Sequence, residues 1–249
     1  MSAIRVKHLS KRFGKLTVLK DFSTEIAKGE ITAVVGPNGS GKTTLIKCLV
    51  GLVQPDSGEI FINDKEVRSD ESYRRDIGYM PQVARLPENL KVRELLAMIK
   101  DVRGNIEAVD EELISDFALQ KEWDKKLGAL SGGTRQKVTA VIAFLFNPSI
   151  LILDEPTAGL DPVASARFKD KLLRERANGK TIVLTSHIVS EIEELAESVV
   201  FLLEGEKKFD GKVEAFLAQT GETRLERAIA KIMTNGNLPT AVEVEVMKV

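Results

Sequence analysis

The stretch ITAVVGPNGSGKTT, residues 31–44, decides the fold of this chain. ITAVV is a short, continuous apolar run, which is typical of a strand buried on both faces of a parallel sheet. The following GPNGSGKTT matches the pattern G-x-x-x-x-G-K-[ST], in which a glycine-rich turn joins a strand to a helix. The sequence therefore predicts a phosphate-binding loop between a buried strand and a helix.

Several positions of this loop have predicted roles with a nucleotide. The glycines allow backbone N–H groups to turn towards phosphate oxygens, and the helix N-terminus adds the positive end of its dipole. Lys42 is predicted to meet the β- and γ-phosphates, and Thr43 to place its hydroxyl on Mg²⁺. The predicted nucleotide-binding residues of the loop are Gly36, Asn38, Gly39, Ser40, Gly41, Lys42, Thr43 and Thr44.

The apolar runs on either side of this loop indicate an α/β fold. Further short apolar runs at 150–153, 181–184 and 198–203 alternate with helical patterns such as 163–176. This alternation predicts a mostly parallel sheet with flanking helices. Residues 4–26 instead alternate apolar and polar side chains, which predicts an antiparallel β subdomain.

Two further segments depart from the strand–helix alternation. Residues from about 83 to 130 predict an inserted helical subdomain, with one helix face formed by Val92, Leu95, Leu96, Ile99 and Val102. We place one domain at residues 1–217 and a C-terminal helix and tail at 218–249. In the tail, Leu225, Ala228, Ile229, Ile232 and Met233 predict an amphipathic helix ended at 235–237, and 241–249 alternates like a strand. The tail is either a partner-binding segment or a mobile end.

Composition excludes several classes of protein. The 249 residues include 36 Lys and Arg against 37 Asp and Glu, a net charge of -1, which argues against a strongly basic nucleic-acid binder. No run reaches the ~18 to 20 apolar residues of a membrane-spanning helix, and the run at 138–146 predicts a buried core helix. The single cysteine, Cys48, allows no internal disulfide, and we predict that it is a small buried apolar residue. We therefore predict a cytoplasmic location.

Two carboxylates follow the apolar run at 150–153. A buried strand delivers Asp154 and Glu155 to the carboxyl edge of the sheet, where ligands bind in open α/β sheets. Asp154 is the predicted Mg²⁺ partner, and Glu155 is predicted to orient or deprotonate the attacking water.

The most specific string is LSGGTRQK at 130–137, which opens the helix that carries VTAVIAFLF. Ser131, Gly132 and Gly133 form a small-residue helix N-terminus suited to an anion. With the preceding phosphate loop and the following ILILDE, this string resembles the nucleotide-binding ATPases of ABC transporters over about residues 2–217.

The resemblance implies roles for further residues. Gln82 is expected to touch Mg²⁺ and the attacking water, and His187 to contact the γ-phosphate as a switch histidine. Phe13 is expected to stack on adenine, and Asp161, in the loop 159–161, to take part in communication between two copies. The alternatives from the residues alone are an exposed turn residue for Gln82, a structural histidine for His187 and a core phenylalanine for Phe13.

The resemblance also implies an assembly. Two head-to-tail copies, or one copy and a similar ABC ATPase, would enclose ATP and Mg²⁺, with Lys42, Gln82, Glu155 and His187 as the catalytic residues. An integral membrane permease would be the partner, at the cytoplasmic face of the inner membrane, and no nucleic acid is expected.

The direction of transport and the cargo remain open at this level. The motif forms resemble those of multidrug and ABC-2 type exporters, and the stretches 77–82, 87–98 and 220–229 resemble the NosF-type subunits that serve copper-site maturation of nitrous oxide reductase. Generic small-molecule or lipid export is an alternative. A soluble ABC-type ATPase acting in translation or DNA transactions is the alternative from another class.

Overall fold

The structure, a computed structural model, describes residues 1–69, 71–104 and 109–235. The strands are β1 (Ser2–Phe13), β2 (Leu16–Ala27), β3 (Ile31–Val35), β4 (Ser57–Ile62), β5 (Lys65–Glu66), β6 (Ile77–Met80), β7 (Ile150–Asp154), β8 (Thr181–Thr185), β9 (Ser198–Leu203) and β10 (Glu206–Lys212). The α-helices are α1 (Lys42–Leu49), α2 (Val92–Val102), α3 (Glu112–Asp116), α4 (Gly132–Phe144), α5 (Pro162–Ala177), α6 (Val189–Leu195), α7 (Val213–Thr220) and α8 (Leu225–Asn235). Short 3₁₀ helices lie at Glu71–Asp76, Leu119–Glu122 and Leu127–Ala129.

The larger sheet has six strands in the order β10-β9-β3-β8-β7-β6. All neighbouring pairs are parallel except β10 and β9, which are antiparallel. Every residue of β3, β7 and β8 is buried, which explains why these strands are continuous apolar runs. The prediction of a mostly parallel sheet with flanking helices is confirmed.

The smaller sheet is antiparallel, in the order β2-β1-β4-β5. Its long strands β1 and β2 pair with each other over most of their length. One face of this sheet is buried and the other is exposed, so the sequence alternates apolar and polar side chains. The predicted antiparallel β subdomain is therefore confirmed.

The hydrophobic core has two layers, one on each face of the six-stranded sheet. In β3, Ala33 packs in the layer shared with the helices, whereas Val34 packs in the layer shared with the antiparallel sheet and α1. This two-sided burial fixes β3 and α1 relative to each other. The phosphate loop between them is thereby held at the carboxyl edge of the sheet.

The helical insertion lies between β6 and α4, as predicted. Along α2, Val92, Leu95 and Leu96 are buried, and Ile99 packs against the same core. The prediction that Val102 shares this face is wrong, because its side chain is 81% exposed. At 3.6 residues per turn Val102 lies only about 20° around the helix from Leu95, but it is the last residue of α2 and faces solvent.

The C-terminal helix α8 packs on the main core. Leu225, Ala228 and Ile232 are fully buried in the same cluster as the sheet residues, whereas Met233 is exposed. Residues 236–249, which contain the predicted strand-like segment and most of the predicted helix stop, lie outside the described residues. The division at residue 217 stays a prediction.

Cys48 lies in α1 and is fully buried, as expected for a small hydrophobe. Burial raises the pKa of its thiol to about 11. In the part of the chain that the structure describes, every helix falls short of the length and apolarity needed to cross a membrane.

Candidate nucleotide-binding site

A cavity of about 360 Å³ opens at the carboxyl edge of the six-stranded sheet, between the antiparallel sheet and α1. It is lined by Leu16, Val18, Asn38, Gly39, Gly41, Lys42, Thr43, Thr44, Gln82, Asp154 and Glu155. The loop residues, the carboxylates and Gln82 are thus brought together from parts of the chain more than 100 residues apart.

Two glycines of the phosphate loop are required by the path of the backbone. Gly36 has a φ of +155°, and a Cβ there would lie 2.0 Å from the carbonyl oxygen of Leu202. Gly41 has a φ of +110°, and a Cβ there would lie 2.8 Å from the carbonyl oxygen of Val18. A side chain at either position would push the loop away from strands β2 and β9, so the curled conformation needs glycine.

Lys42 is the first residue of α1, and its side chain folds back over the loop. Its Nζ donates to the carbonyl oxygens of Gly36, at 2.7 Å, and Pro37, at 3.0 Å. Burial lowers the pKa of Lys42, while Glu155 and Asp154 act in the opposite direction. The ammonium group is thereby placed inside the loop.

Asp154 and Glu155 are held in place by Thr185 on the neighbouring strand. Asp154 and Thr185 are register partners of β7 and β8. The Thr185 hydroxyl donates to Oδ1 of Asp154 at 2.5 Å and accepts the backbone N–H of Glu155 at 3.0 Å. Oδ2 of Asp154 is buried and has no hydrogen-bond partner among the described residues. This carboxylate oxygen is therefore available to bind a ligand.

Glu155 has a strained backbone and a fixed side chain. Its φ is +53°, a left-handed conformation that costs a non-glycine residue on the order of 1–3 kcal/mol. Oε2 of Glu155 lies 2.6 Å from Nδ1 of His187 and 3.3 Å from the His187 backbone N–H. Glu155 is 8% exposed, whereas the His187 side chain is 69% exposed. The carboxylate is thus aimed by a histidine that remains open to solvent.

The start of α4 forms a separate, exposed feature. Ser131 caps the helix, because its hydroxyl oxygen accepts the backbone N–H of Thr134 at 3.2 Å. Gly133 lies against the loop that follows β7, and a Cβ there would lie 2.5 Å from the carbonyl oxygen of Gly159. Asp161 caps α5 and accepts a hydrogen bond from Lys137 at 2.6 Å, which lowers the pKa of its carboxyl.

Comparison with known proteins identifies the group to which this arrangement belongs. The family model described as "ABC transporter" matches residues 19–158. The chain belongs to the ABC transporter family. It is 35% identical over 219 residues to the Nod factor export ATP-binding protein I of Bradyrhizobium sp. (strain SNU001), covering 86% of this chain and 72% of that protein. It is 33% identical over 212 residues to the lantibiotic transport ATP-binding protein SrtF of Streptococcus pyogenes, covering 84% of this chain and 92% of that protein.

Solved structures give the same result. One described as the structure of an ATP-binding subunit of an ABC transporter has a TM-score of 0.87 and 32% identity, covering 93% of this chain and all of that one. A dimeric ATP-binding cassette in a post-hydrolysis state, bound to ADP and Pi, has a TM-score of 0.74 and 25% identity over 84% of this chain and 98% of that one. This chain is therefore the ATP-binding subunit of an ABC transporter, and it is an ATPase.

Several of the predicted site residues of this ABC ATPase do not line the cavity. Ser131, Gly132, Gly133 and Asp161, although all described, do not line the cavity. Phe13 does not line it either; its ring is 51% exposed beside Lys11, so the alternative of a core phenylalanine is wrong. Ser40 lies behind the loop with a buried hydroxyl that lacks a hydrogen-bond partner among the described residues.

Four groups at the site of this ABC ATPase were missed by sequence reasoning. They are Leu16 and Val18 in the cavity wall, Thr185 between the Asp154 carboxylate and the Glu155 backbone N–H, Gln136 in α4, and Glu191 in α6. Glu191 accepts hydrogen bonds from the hydroxyls of Thr157, at 2.7 Å, and Ser186, at 3.1 Å. It thus joins the two loops that carry Glu155 and His187. The position of Thr185, directly after an apolar run, was the available signal; Glu191 gave none.

Proposed function

We propose that this subunit drives export through a separate integral membrane permease at the cytoplasmic face of the inner membrane. It does so by hydrolysing ATP in a head-to-tail dimer, with a second copy or with a similar ABC ATPase. The observation that carries the proposal is the phosphate-loop cavity with the aimed Glu155–His187 pair at its edge. The names of the Nod factor export and lantibiotic transport relatives support export.

The separation of the two predicted nucleotide-binding features supports the dimer. The phosphate loop lines the cavity, whereas Ser131 lies exposed at the start of the 13-residue helix α4. A helix N-terminus with small residues binds phosphate well. In the proposed dimer, one nucleotide touches both features because a second chain supplies the start of α4. Hydrolysis of the γ-phosphate would remove the bridge between Lys42 of one copy and Ser131 of the other, so the dimer would open.

The residues beside Asp154 fit a bound Mg²⁺. The unpartnered Oδ2 of Asp154 is an oxygen ligand of the kind that Mg²⁺ prefers, alone or through water. Thr43 and Gln82 line the same cavity and would supply the other protein oxygens. When bound, Mg²⁺ neutralises charge on the β- and γ-phosphates and aligns them for attack.

Glu155 is the proposed general base. Its carboxylate is almost fully buried and is held by His187, so it can accept a proton from a water molecule placed against the γ-phosphate. His187 would also contact the γ-phosphate from its exposed side, and Phe13 would stack on the adenine. Asn38, Gly39 and Thr44 line the cavity wall, where they would lie beside the phosphates.

Lys42→Ala is expected to weaken ATP binding by about 10- to 100-fold, since a hydrogen bond to a charged group contributes roughly 1.5–3 kcal/mol. Titration with a fluorescent ATP analogue measures this. Lys47→Ala is the matched control, because Lys47 lies exposed on the same helix. Equal affinity in both variants would contradict the role of Lys42.

A second cavity, of about 210 Å³, is the proposed docking site for the permease. It lies between β6, α2 and α4, and its lining includes Arg75, Ile77, Tyr79, Ile99 and Arg103. The Arg103 guanidinium lies 5.0 Å from the ring centroid of Phe146. Apolar walls with arginines at the rim suit an amphipathic helix of the partner that carries a carboxylate.

Co-purification tests this partner. Tagged Glu155→Gln protein, recovered from solubilised membranes with ATP and Mg²⁺, is expected to retain one multi-spanning membrane protein. Adding Arg103→Glu is expected to reduce its recovery about tenfold, because like charges across an interface cost several kcal/mol. Lys28→Glu, a charge reversal at an exposed residue after β2, should leave recovery unchanged. Recovery of ribosomes or soluble proteins alone would favour the soluble ABC-type ATPase instead.

In this proposal the permease, and not this subunit, binds the transported substrate. The NosF-like form of residues 77–82, 87–98 and 220–229 supports copper-site maturation of nitrous oxide reductase as the specific system. Identifying the co-purified permease by mass spectrometry tests this: a permease encoded or purified with other components of lipid or peptide export would contradict it.

A further inference from the structure

One face of α4 is fastened to the loop between Glu155 and Asp161. Gly133 lies against the carbonyl oxygen of Gly159, and Lys137 forms an ion pair with Asp161 at 2.6 Å. Between them Gln136 is 7% exposed and donates from Nε2 to two carbonyl oxygens of the same loop. Positions i, i+3 and i+4 share one face of a helix. Three residues on one face of α4 therefore contact this loop.

The contact of Gln136 falls on the backbone of Glu155 itself. Its Nε2 lies 3.4 Å from the carbonyl oxygen of Glu155 and 3.3 Å from that of Pro156. These are buried carbonyl groups, so their hydrogen bonds matter to the local conformation. Gln136 is the side chain that reaches them from α4, one turn after the exposed Ser131.

Glu155 needs such support because its conformation is unfavourable. Its φ of +53° is combined with a following proline, which restricts the residue before it. Thr185 holds the backbone N–H of Glu155, His187 holds its carboxylate, and Gln136 holds its carbonyl oxygen. Removing one of these three sets of hydrogen bonds would destabilise the left-handed conformation of Glu155.

We propose that Gln136 is a positioning residue for Glu155, which it couples to the start of α4. When the nucleotide bound to the opposite subunit contacts Ser131, α4 changes its orientation. Gln136 moves with the helix and shifts the backbone of Glu155, to which it is hydrogen-bonded. The carboxylate is then aimed at the water of its own site. This inference rests on the proposed roles of Glu155 and of the head-to-tail dimer.

The first test is Gln136→Met, which keeps the length and apolar volume of the side chain but removes both N–H donors. We expect kcat for ATP hydrolysis to fall about tenfold or more, because a small misplacement of a catalytic group has an effect of that size. The affinity for ATP should remain that of the wild type, since Lys42 is untouched. Thr139→Val is the matched control, because it removes a buried hydroxyl of α4 that donates to Arg135 within the helix.

Gln136→Glu is a second variant, which replaces the donor with an acceptor of the same size facing two carbonyl oxygens. We expect the same loss of kcat with ATP binding retained. ATP affinity in each variant reports folding independently of hydrolysis. Wild-type kcat in a Gln136 variant that binds ATP normally would overturn the inference.

A double-mutant cycle separates positioning from a general effect. Single-turnover rates are compared for Glu155→Gln with and without Gln136→Met. If Gln136 acts through Glu155, the second substitution should cause no further loss once the carboxylate is gone. A full additional tenfold loss would overturn the inference and leave the proposed function intact. Undiminished hydrolysis by Glu155→Gln alone would overturn both.

Discussion

Replacing Glu155 with Gln is expected to lower the rate of ATP hydrolysis by about 10²- to 10⁴-fold, the usual contribution of a general base. The amide has nearly the shape of the carboxylate, so His187 and Thr185 should still hold the residue in place. It cannot accept a proton from water at neutral pH. ATP should therefore bind and remain uncleaved, and the dimer that it bridges should persist.

Two measurements check this result. Phosphate release in the steady state should fall, and size-exclusion chromatography with ATP and Mg²⁺ should shift the variant to the mass of a dimer. Glu59→Gln is the matched control, since Glu59 is exposed on β4 in the antiparallel sheet. Phosphate release equal to that of the control would exclude Glu155 as the base.

The parts of the site that could be predicted are those built from neighbouring residues. The loop from Gly36 to Thr44 is a local structure, and its conformation follows from glycines at positions where a Cβ would collide with backbone. The carboxylates Asp154 and Glu155 end a strand whose apolar run identified it as central. Local sequence was enough in both cases because a glycine pattern and an apolar run identify these elements by themselves, although the backbone that requires the glycines lies in β2 and β9.

The parts that could not be predicted depend on long-range pairing. Thr185 joins the carboxylate of Asp154 to the backbone N–H of Glu155 only because β8 lies beside β7 in a register that opposes Thr185 to Asp154. Gln136 belongs to the most specific string of the sequence, but its partner is a backbone carbonyl, which has no sequence pattern. Val102 fits the helical period but is exposed because the helix ends there. Periodicity alone does not locate the end of a helix.

Lys171→Met is expected to lower the free energy of unfolding by about 3–5 kcal/mol, the cost of breaking a buried ion pair. The Lys171 side chain is 5% exposed, and its Nζ lies 2.7 Å from Asp110, 2.6 Å from Glu112 and 2.8 Å from Glu175. Burial acts to lower the pKa of Lys171, but these three hydrogen bonds outweigh it and raise the pKa above its ordinary value. The ammonium group therefore joins α5 to the start of α3 in the helical insertion.

Lys169→Met provides the matched control for urea denaturation. Lys169 lies one half-turn earlier on α5 and pairs with the partly exposed Glu194, so its loss should change the free energy of unfolding by about 0–1 kcal/mol. Equal effects of the two variants would contradict the role of the buried cluster. Lys171→Met combined with Asp110→Asn should recover part of the loss, because Asp110 is largely buried and its carboxylate would otherwise lack its ammonium partner.

The pH dependence of the Lys171→Met effect tests its electrostatic origin. Burial acts to raise the pKa of Glu175, but hydrogen bonds from Lys171 and Lys180 outweigh it and hold the pKa below its ordinary value of 4.5. A carboxyl whose pKa is lower in the folded state contributes stability above the unfolded pKa, and this is lost as the pH falls through the folded value. The difference between wild type and Lys171→Met should therefore be full at pH 7 and should narrow below about pH 4.5. A difference that stays constant across this range would show that the loss comes from packing alone.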